Sequence, residues 1–159
     1  MKQRILAVLA GLIVAAGLAY AATSATPEEV VRRYYAAADT GGNWRDWHPE
    51  ATHSITILYA GQQAGEPYSY AVSDWAKLPD WKDMPEMAEA MNGYAEASRS
   101  APKIDAEITD DGAAATAVTT VEYEWNGHSG QMVQTDRFTL VRLRGRWVIR
   151  QLETTMDYR

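Results

Sequence analysis

The chain has 159 residues, no cysteine, and 15 basic against 21 acidic residues, a formal net charge of -6. The missing cysteines exclude disulfides, thiolate metal sites and lipid attachment at a thiol, so the fold must rest on its core alone. The acidic balance, with no basic cluster interleaved with aromatics, argues against a nucleic-acid partner.

Lys2 and Arg4 precede an uncharged run from Ile5 to Ala22, apolar to Val14 and then Ala-rich, with small residues at Ala19-Tyr20-Ala21 and, just beyond it, at Thr23-Ser24-Ala25. This pattern predicts a secretory signal peptide over residues 1–25, cleaved after Ala21 or Ala25. At 18 residues the run is also just long enough for an uncleaved membrane anchor. Either way the folded part is exported, periplasmic or secreted, with no membrane contact once the leader is removed. Without Lys2 and Arg4 the remaining chain carries 13 basic and 21 acidic residues, a net charge of minus 8. Residues 26–159 suffice for one domain burying roughly two-thirds of the surface its unfolded chain exposes.

Thr26-Pro27-Glu28-Glu29 predicts a helix start, with Thr26 as cap, Pro27 at the first position and Glu29 completing a capping box. The helix is expected to end at Gly41-Gly42, presenting Val30, Val31, Tyr34, Ala37 and Ala38 on one apolar face and leaving Glu28, Arg32 and Asp39 to water. Asn43 is expected to cap a very short helix through Trp44 and Trp47, stopped by Pro49. SITILYAG reads as a strand, and YSYAVS as its hairpin partner. Asp83-Met84-Pro85-Glu86 predicts another helix, with Met87, Met91 and Tyr94 on one side, fading near Pro102.

Beyond Pro102 the pattern becomes a four-stranded antiparallel meander, turning at Asp111-Gly112, Asn126-Gly127 and Arg144-Gly145. Pairing outward from these turns sets Ile108 opposite Ala115, Ala117 opposite Asp136, Leu140 opposite Ile149, and Asp136 opposite Glu153. One face then collects Ile104, Ala106, Ile108, Ala115, Ala117, Val121, Tyr123, Phe138, Leu140, Trp147 and Ile149. The other face is mixed. Val118, Val133, Val141, Val148, Leu152 and Met156 among its polar residues predict a homodimer through the outer sheet face.

Helices preceding the sheet must cover its apolar face, so the expected fold is α+β, a cone-like curved antiparallel sheet wrapped around N-terminal helices. Along that face a packed end, with Trp147, Ile149, Leu140 and Phe138, gives way to a polar end with Thr119, Gln134, Asp136, Gln151, Glu153 and Thr155, bordered by Tyr123. A ligand pocket is expected there, with Tyr59, Tyr123, Gln134, Phe138, Gln151 and Met91 as its binding residues. Two acids paired across strands beneath the helices repel and lose hydration, which would raise one pKa and let a neutral carboxyl donate a hydrogen bond. The alternatives are a wet, ionised pair or an arginine partner, and Met87, Met91 and Tyr94 also read as plain core.

The segment RYYAAADTGG, the turn HPEAT and the hairpin WNGHSGQMVQTD resemble the nuclear-transport-factor-2-like superfamily, within it ketosteroid isomerases and polyketide cyclases. The likeness covers nearly all of the chain after the leader, and the 11-residue step from Trp125 to Asp136 matches the isomerases' spacing to an aspartic acid. By that resemblance Tyr34 and Asp136 would be the two donors of an oxyanion hole, an arrangement for which ketosteroid isomerase is the type case. The isomerases' general-base position falls on Ile55, which accepts no proton, leaving His53 and Glu153 as candidates.

The chain lacks a phosphate-binding glycine loop and a nucleophile elbow, and the spacing of His48 and His53 suits neither one helix face nor one strand face. No metal and no cofactor is expected. The sequence therefore supports three readings: an exported enzyme moving a proton next to the carbonyl of a small apolar substrate, as isomerases, cyclases or dehydratases do; a non-catalytic module binding a small apolar ligand; or an accessory homodimeric domain whose cone is filled by its own side chains.

Overall fold

The computed structural model describes residues 25–37, 44–77 and 92–159. The expected leader, the segment 38–43 with Asn43 and Asp39, and the segment 78–91 with Met87 and Met91 lie outside the described residues. Helix α1 spans Pro27–Ala37. Its capping box forms as expected: the Glu29 amide donates to Thr26 Oγ1 at 3.2 Å and the Thr26 amide to Glu29 Oε2 at 2.7 Å. A 3-10 turn at Trp44–Asp46 follows. Arg33 of α1 clamps the carboxylate of Asp46 through two bonds of 2.9 Å each, tying the helix to this turn.

The strands are β1 (Trp47–Tyr59), β2 (Gln62–Gln63), β3 (Tyr68–Ala71), β4 (Tyr94–Arg99), β5 (Lys103–Thr109), β6 (Gly112–Trp125), β7 (His128–Leu143) and β8 (Arg146–Tyr158). They form one curved sheet in the order β2-β1-β8-β7-β6-β4, with β3 also on β1 and β5 also on β6. A second 3-10 turn, Val72–Lys77, follows β3. The α+β architecture is the expected one, with two changes. β1 pairs with β8 in parallel, so the sheet is mixed. Among the described residues α1 is the one α-helix laid on the inner face, its Val30 and Val31 fully buried against Ala115, Ala117, Phe138, Leu140, Ile149 and Leu152.

The expected helix reaching past Tyr94 is corrected by β4. Ala, Glu and Arg favour helix in isolation, but β5 covers β6 only as far as Val118, and β4 fills the remaining edge with Tyr94 opposite Trp125 and Arg99 opposite Val121. The short helix through Trp47 is likewise cut back, because Trp47 opens β1. Pro49, which has no amide to give a ladder, sits where pairing with β8 lapses between Trp47 and Thr52.

The meander forms in the expected order, and its register departs from expectation at two places. At the first hairpin Thr109 pairs with Gly112 and Ile108 with Ala113, two residues from the expected partner Ala115. Gly112 is thus a strand residue. A Cβ there would stand 2.5 Å from the Leu140 carbonyl oxygen, so close passage of β6 over β7 is what requires glycine. The slip is even, so the faces are unchanged, but Ile108 reaches the strand end and is 70% exposed.

The second departure matters more. Leu140 pairs with Ile149, and Ala117 with Asp136, as expected, yet Thr139 pairs with Gln151, leaving Arg150 as an extra residue. This bulge inverts the phase of β8 beyond it. Leu152, Thr154 and Met156 turn inward. Gln151 and Glu153 turn outward, both exposed and bonded to each other at 2.9 Å. Arg150 fastens the irregular stretch of β1 alongside, donating to the Glu50 carbonyl and lying 3.2 Å from the Glu50 carboxylate.

Candidate functional site

Asp136 stands on the inner face of β7, fully buried, between the apolar Phe138 and the polar Gln134. It faces Thr154 rather than Glu153. The expected pair of repelling acids is therefore replaced by a carboxyl surrounded by donors. The Tyr35 hydroxyl bonds Oδ2, Gln134 Nε2 donates to the same oxygen at 2.8 Å, and Thr154 Oγ1 bonds Oδ1 at 2.6 Å. The orientation of the Gln134 amide follows from its other end. Arg99, a pure donor, gives Nη1–H to Gln134 Oε1 at 3.3 Å, which turns the amide nitrogen toward Asp136. Arg99 itself is fixed by Glu96 through bonds of 2.9 and 2.7 Å.

The tyrosine bonded to Asp136 is Tyr35, one residue after the one the resemblance picked. Tyr34 stands beside it in an edge-to-face cluster, with ring centroids 5.2 Å from Tyr35, 5.3 Å from Phe138 and 5.9 Å from Trp47. Both phenols are pushed above their ordinary pKa, by burial first and by the neighbouring Asp136 second, so both remain protonated donors. Beside the Tyr35 hydroxyl lies Thr119, 1% exposed, whose own hydroxyl reaches Tyr35 but has no partner at full hydrogen-bond geometry among the described residues. Leaving such a group unsatisfied costs about 1–3 kcal/mol, so its presence in a buried cluster calls for a physical reason, a bound ligand or water among them.

His53, on the inner face of β1, is brought into the same cluster. Its Nε2 lies 2.8 Å from Thr154 Oγ1 and its Nδ1 2.6 Å from the Tyr70 hydroxyl. Burial lowers its pKa to about 4 against the opposing pull of Asp136, so the ring is neutral at pH 7. Ile55, two residues on, also faces inward and pairs with Thr154.

The remaining expected residues divide. Phe138 is buried in the core under α1, and Gln134 is a direct partner of Asp136. Tyr123 and Tyr59 join Tyr94 and Tyr158 in a row of rings crossing the sheet at centroid spacings of 5.6 Å. The Tyr123 ring packs over Gly130, where a Cβ would meet it at 2.5 Å. Gln151 and Glu153 leave the site through the bulge. Sequence reasoning missed Tyr35, Thr154 and Tyr70, although Tyr35 follows Val31 by one helical turn and Thr154 follows Leu152 by one strand repeat. A shallow groove lined by Asp105, Ala106, Glu107, Ala114, Ala115 and Thr116 lies elsewhere, and no member of the Asp136 cluster lines it.

No protein-family model matches the chain, and no curated protein does. Solved structures do. A ketosteroid isomerase-like protein from Erwinia carotovora atroseptica is 11% identical, with a TM-score of 0.46, covering 80% of this chain and 90% of its own. A nuclear-transport-factor-2-like protein with a cystatin-like fold from Novosphingobium aromaticivorans is 18% identical, with a TM-score of 0.43, over 81% of this chain and 78% of its own. Another such protein, of unknown function, from Shewanella baltica is 14% identical, with a TM-score of 0.43, over 80% and 88%. The chain is thus similar in fold to a ketosteroid isomerase-like protein and to two nuclear-transport-factor-2-like proteins.

Proposed function

We propose that the chain is an exported small-molecule pocket protein that moves a proton next to a carbonyl group, with Asp136 as the group that takes and returns the proton. The observation that carries this reading is a fully buried carboxyl held by Tyr35, Gln134 and Thr154 beside the buried hydroxyl of Thr119, which lacks a well-formed hydrogen bond among the described residues. A carbonyl oxygen placed against Thr119, beside the protonated Tyr35, meets a donor that water does not screen, and negative charge developing there is stabilised without rearrangement. The apolar Ile55 nearby suits an apolar substrate body. Outside the site, Leu152 and Met156 turn inward and Val148 is fully buried, so the proposed homodimer face narrows to Val118, Val133 and Val141.

A second reading, binding without chemistry, draws on Ile55, an inert side chain where the resemblance places a base. Titrating apolar ketones against tryptophan fluorescence addresses both. The pocket reading expects saturable binding, weakened at least tenfold in Thr119→Val and retained in Glu153→Gln. Equal affinity in wild type and Thr119→Val sinks the assignment of the carbonyl oxygen to Thr119. Absence of binding across the series sinks both readings.

A further inference from the structure

Four side chains from four strands stand in one hydrogen-bonded line: Tyr70 on β3, His53 on β1, Thr154 on β8 and Asp136 on β7, linked at 2.6, 2.8 and 2.6 Å. The line starts at a half-buried tyrosine on the sheet edge, next to the 56% exposed Tyr68, and ends at a carboxyl with no solvent exposure. We propose that it is a proton relay by which Asp136 exchanges its proton with solvent while the site stays closed. This deepens the proposed function, since it supplies the proton that the reading assigns to Asp136.

The proton count admits two arrangements. Thr154 has a single hydroxyl proton. If that proton goes to Asp136 Oδ1, Thr154 must accept from His53, so the ring carries its proton on Nε2, and its bare Nδ1 accepts from Tyr70. Every donor then points inward and Asp136 is a carboxylate. If instead Asp136 carries a proton and gives it to Thr154, Thr154 gives its own to Nε2, and the ring proton sits on Nδ1, directed at Tyr70. Every donor then points outward. The two arrangements differ by one proton. Moving from the first to the second, a hydronium ion gives a proton to the Tyr70 oxygen as the Tyr70 O–H bond breaks and an N–H bond forms at Nδ1. The Nε2–H bond breaks as Thr154 takes that proton, and the former Thr154 proton forms an O–H bond on Asp136. Reversing the hops returns one proton to water, and no redox partner is involved.

The groups facing the line are Tyr34 and Tyr35 from α1, both kept protonated by burial and Asp136, and Gln134 with Arg99 behind it from β7 and β4. Tyr35 and Gln134 donate to Asp136 in both arrangements, and Tyr34 and Arg99 keep their protons in both, so the orientation of the line is set by the charge of Asp136. The test is the tautomer of His53, read from imidazole 15N shifts together with the Asp136 carboxyl 13C shift in a pH series. The relay predicts that the wild-type ring holds its proton on Nε2 while Asp136 is ionised and changes to Nδ1 as Asp136 protonates. Asp136→Asn, whose amide donates to Thr154 at every pH, should hold the Nδ1 form throughout. Thr154→Val should uncouple the two titrations. A wild-type tautomer that ignores the Asp136 titration overturns the relay and needs no variant to fold. So does an Nε2 form in Asp136→Asn. If the tautomer switches but no ketone is bound or turned over, the relay stands and the functional reading falls.

Discussion

The two ends of one strand, β7, sit on the same inner face and are built on opposite rules. Around Leu140 and Phe138 the neighbours are Ala113, Ala115, Ile149 and Leu152, an anhydrous core whose members are interchangeable so long as volume is kept. Around Asp136 and Gln134, beside Ala117 and Met156, stand hydrogen-bonding groups with fixed partners: Tyr35, Thr154 and Arg99. The first end derives its energy from burial of area; the second spends burial on keeping a carboxyl away from water. A fold needs only the first kind of packing, and the second is the part on which the proposed proton transfer draws.

That contrast can be broken by substitution. Phe138→Ala or Leu140→Ala should cost about 3–5 kcal/mol in urea unfolding, through lost transfer energy and the cavity left behind. The polar end should show its cost through pH instead. His53 is held neutral with its pKa moved from 6.5 to about 4, so the unfolded chain takes up a proton before the native protein does. Its contribution is complete above pH 6.5 and is lost as pH falls toward 4, by about 3 kcal/mol from linkage. Unfolding at pH 7 and pH 4.5 should therefore differ less in His53→Gln than in wild type. At the tyrosine row, Gly130→Ala forces Tyr123 aside and should cost roughly 1–3 kcal/mol, as overpacking does. The smallest effect belongs to the outward pair. Glu153→Gln and Gln151→Ala should each change stability by no more than about 0.5 kcal/mol, because both side chains are exposed past the bulge.

The packed end was legible in the sequence because period-2 alternation and glycine turns act locally: Asn126-Gly127 and Arg144-Gly145 adopt positive φ at both residues and set β6, β7 and β8 in register. Asp136 could be placed inside on the same grounds. Its partners could not, because the Arg150 bulge depends on the lapse in β1 around Pro49, about a hundred residues away in sequence. One local trace of it exists. The inward residues Ile149 and Leu152 are three apart, where unbroken alternation requires two or four. Tyr34 and Tyr35 both fit the apolar side of α1, and helical spacing does not decide which hydroxyl meets a carboxyl on β7. The parallel pairing of β1 with β8, which delivers His53, has no hairpin to announce it.

Deuterium wash-in tests the central claim most directly: apolar ketones are incubated in D2O and the loss of the proton signal on the carbon next to the carbonyl is followed. Wild type should speed exchange of at least one ketone above buffer, Glu153→Gln should match it, and Asp136→Asn should be slower by about 100-fold or more. Equal exchange in wild type and Asp136→Asn, or none above buffer in wild type, would contradict the assignment of proton transfer to Asp136.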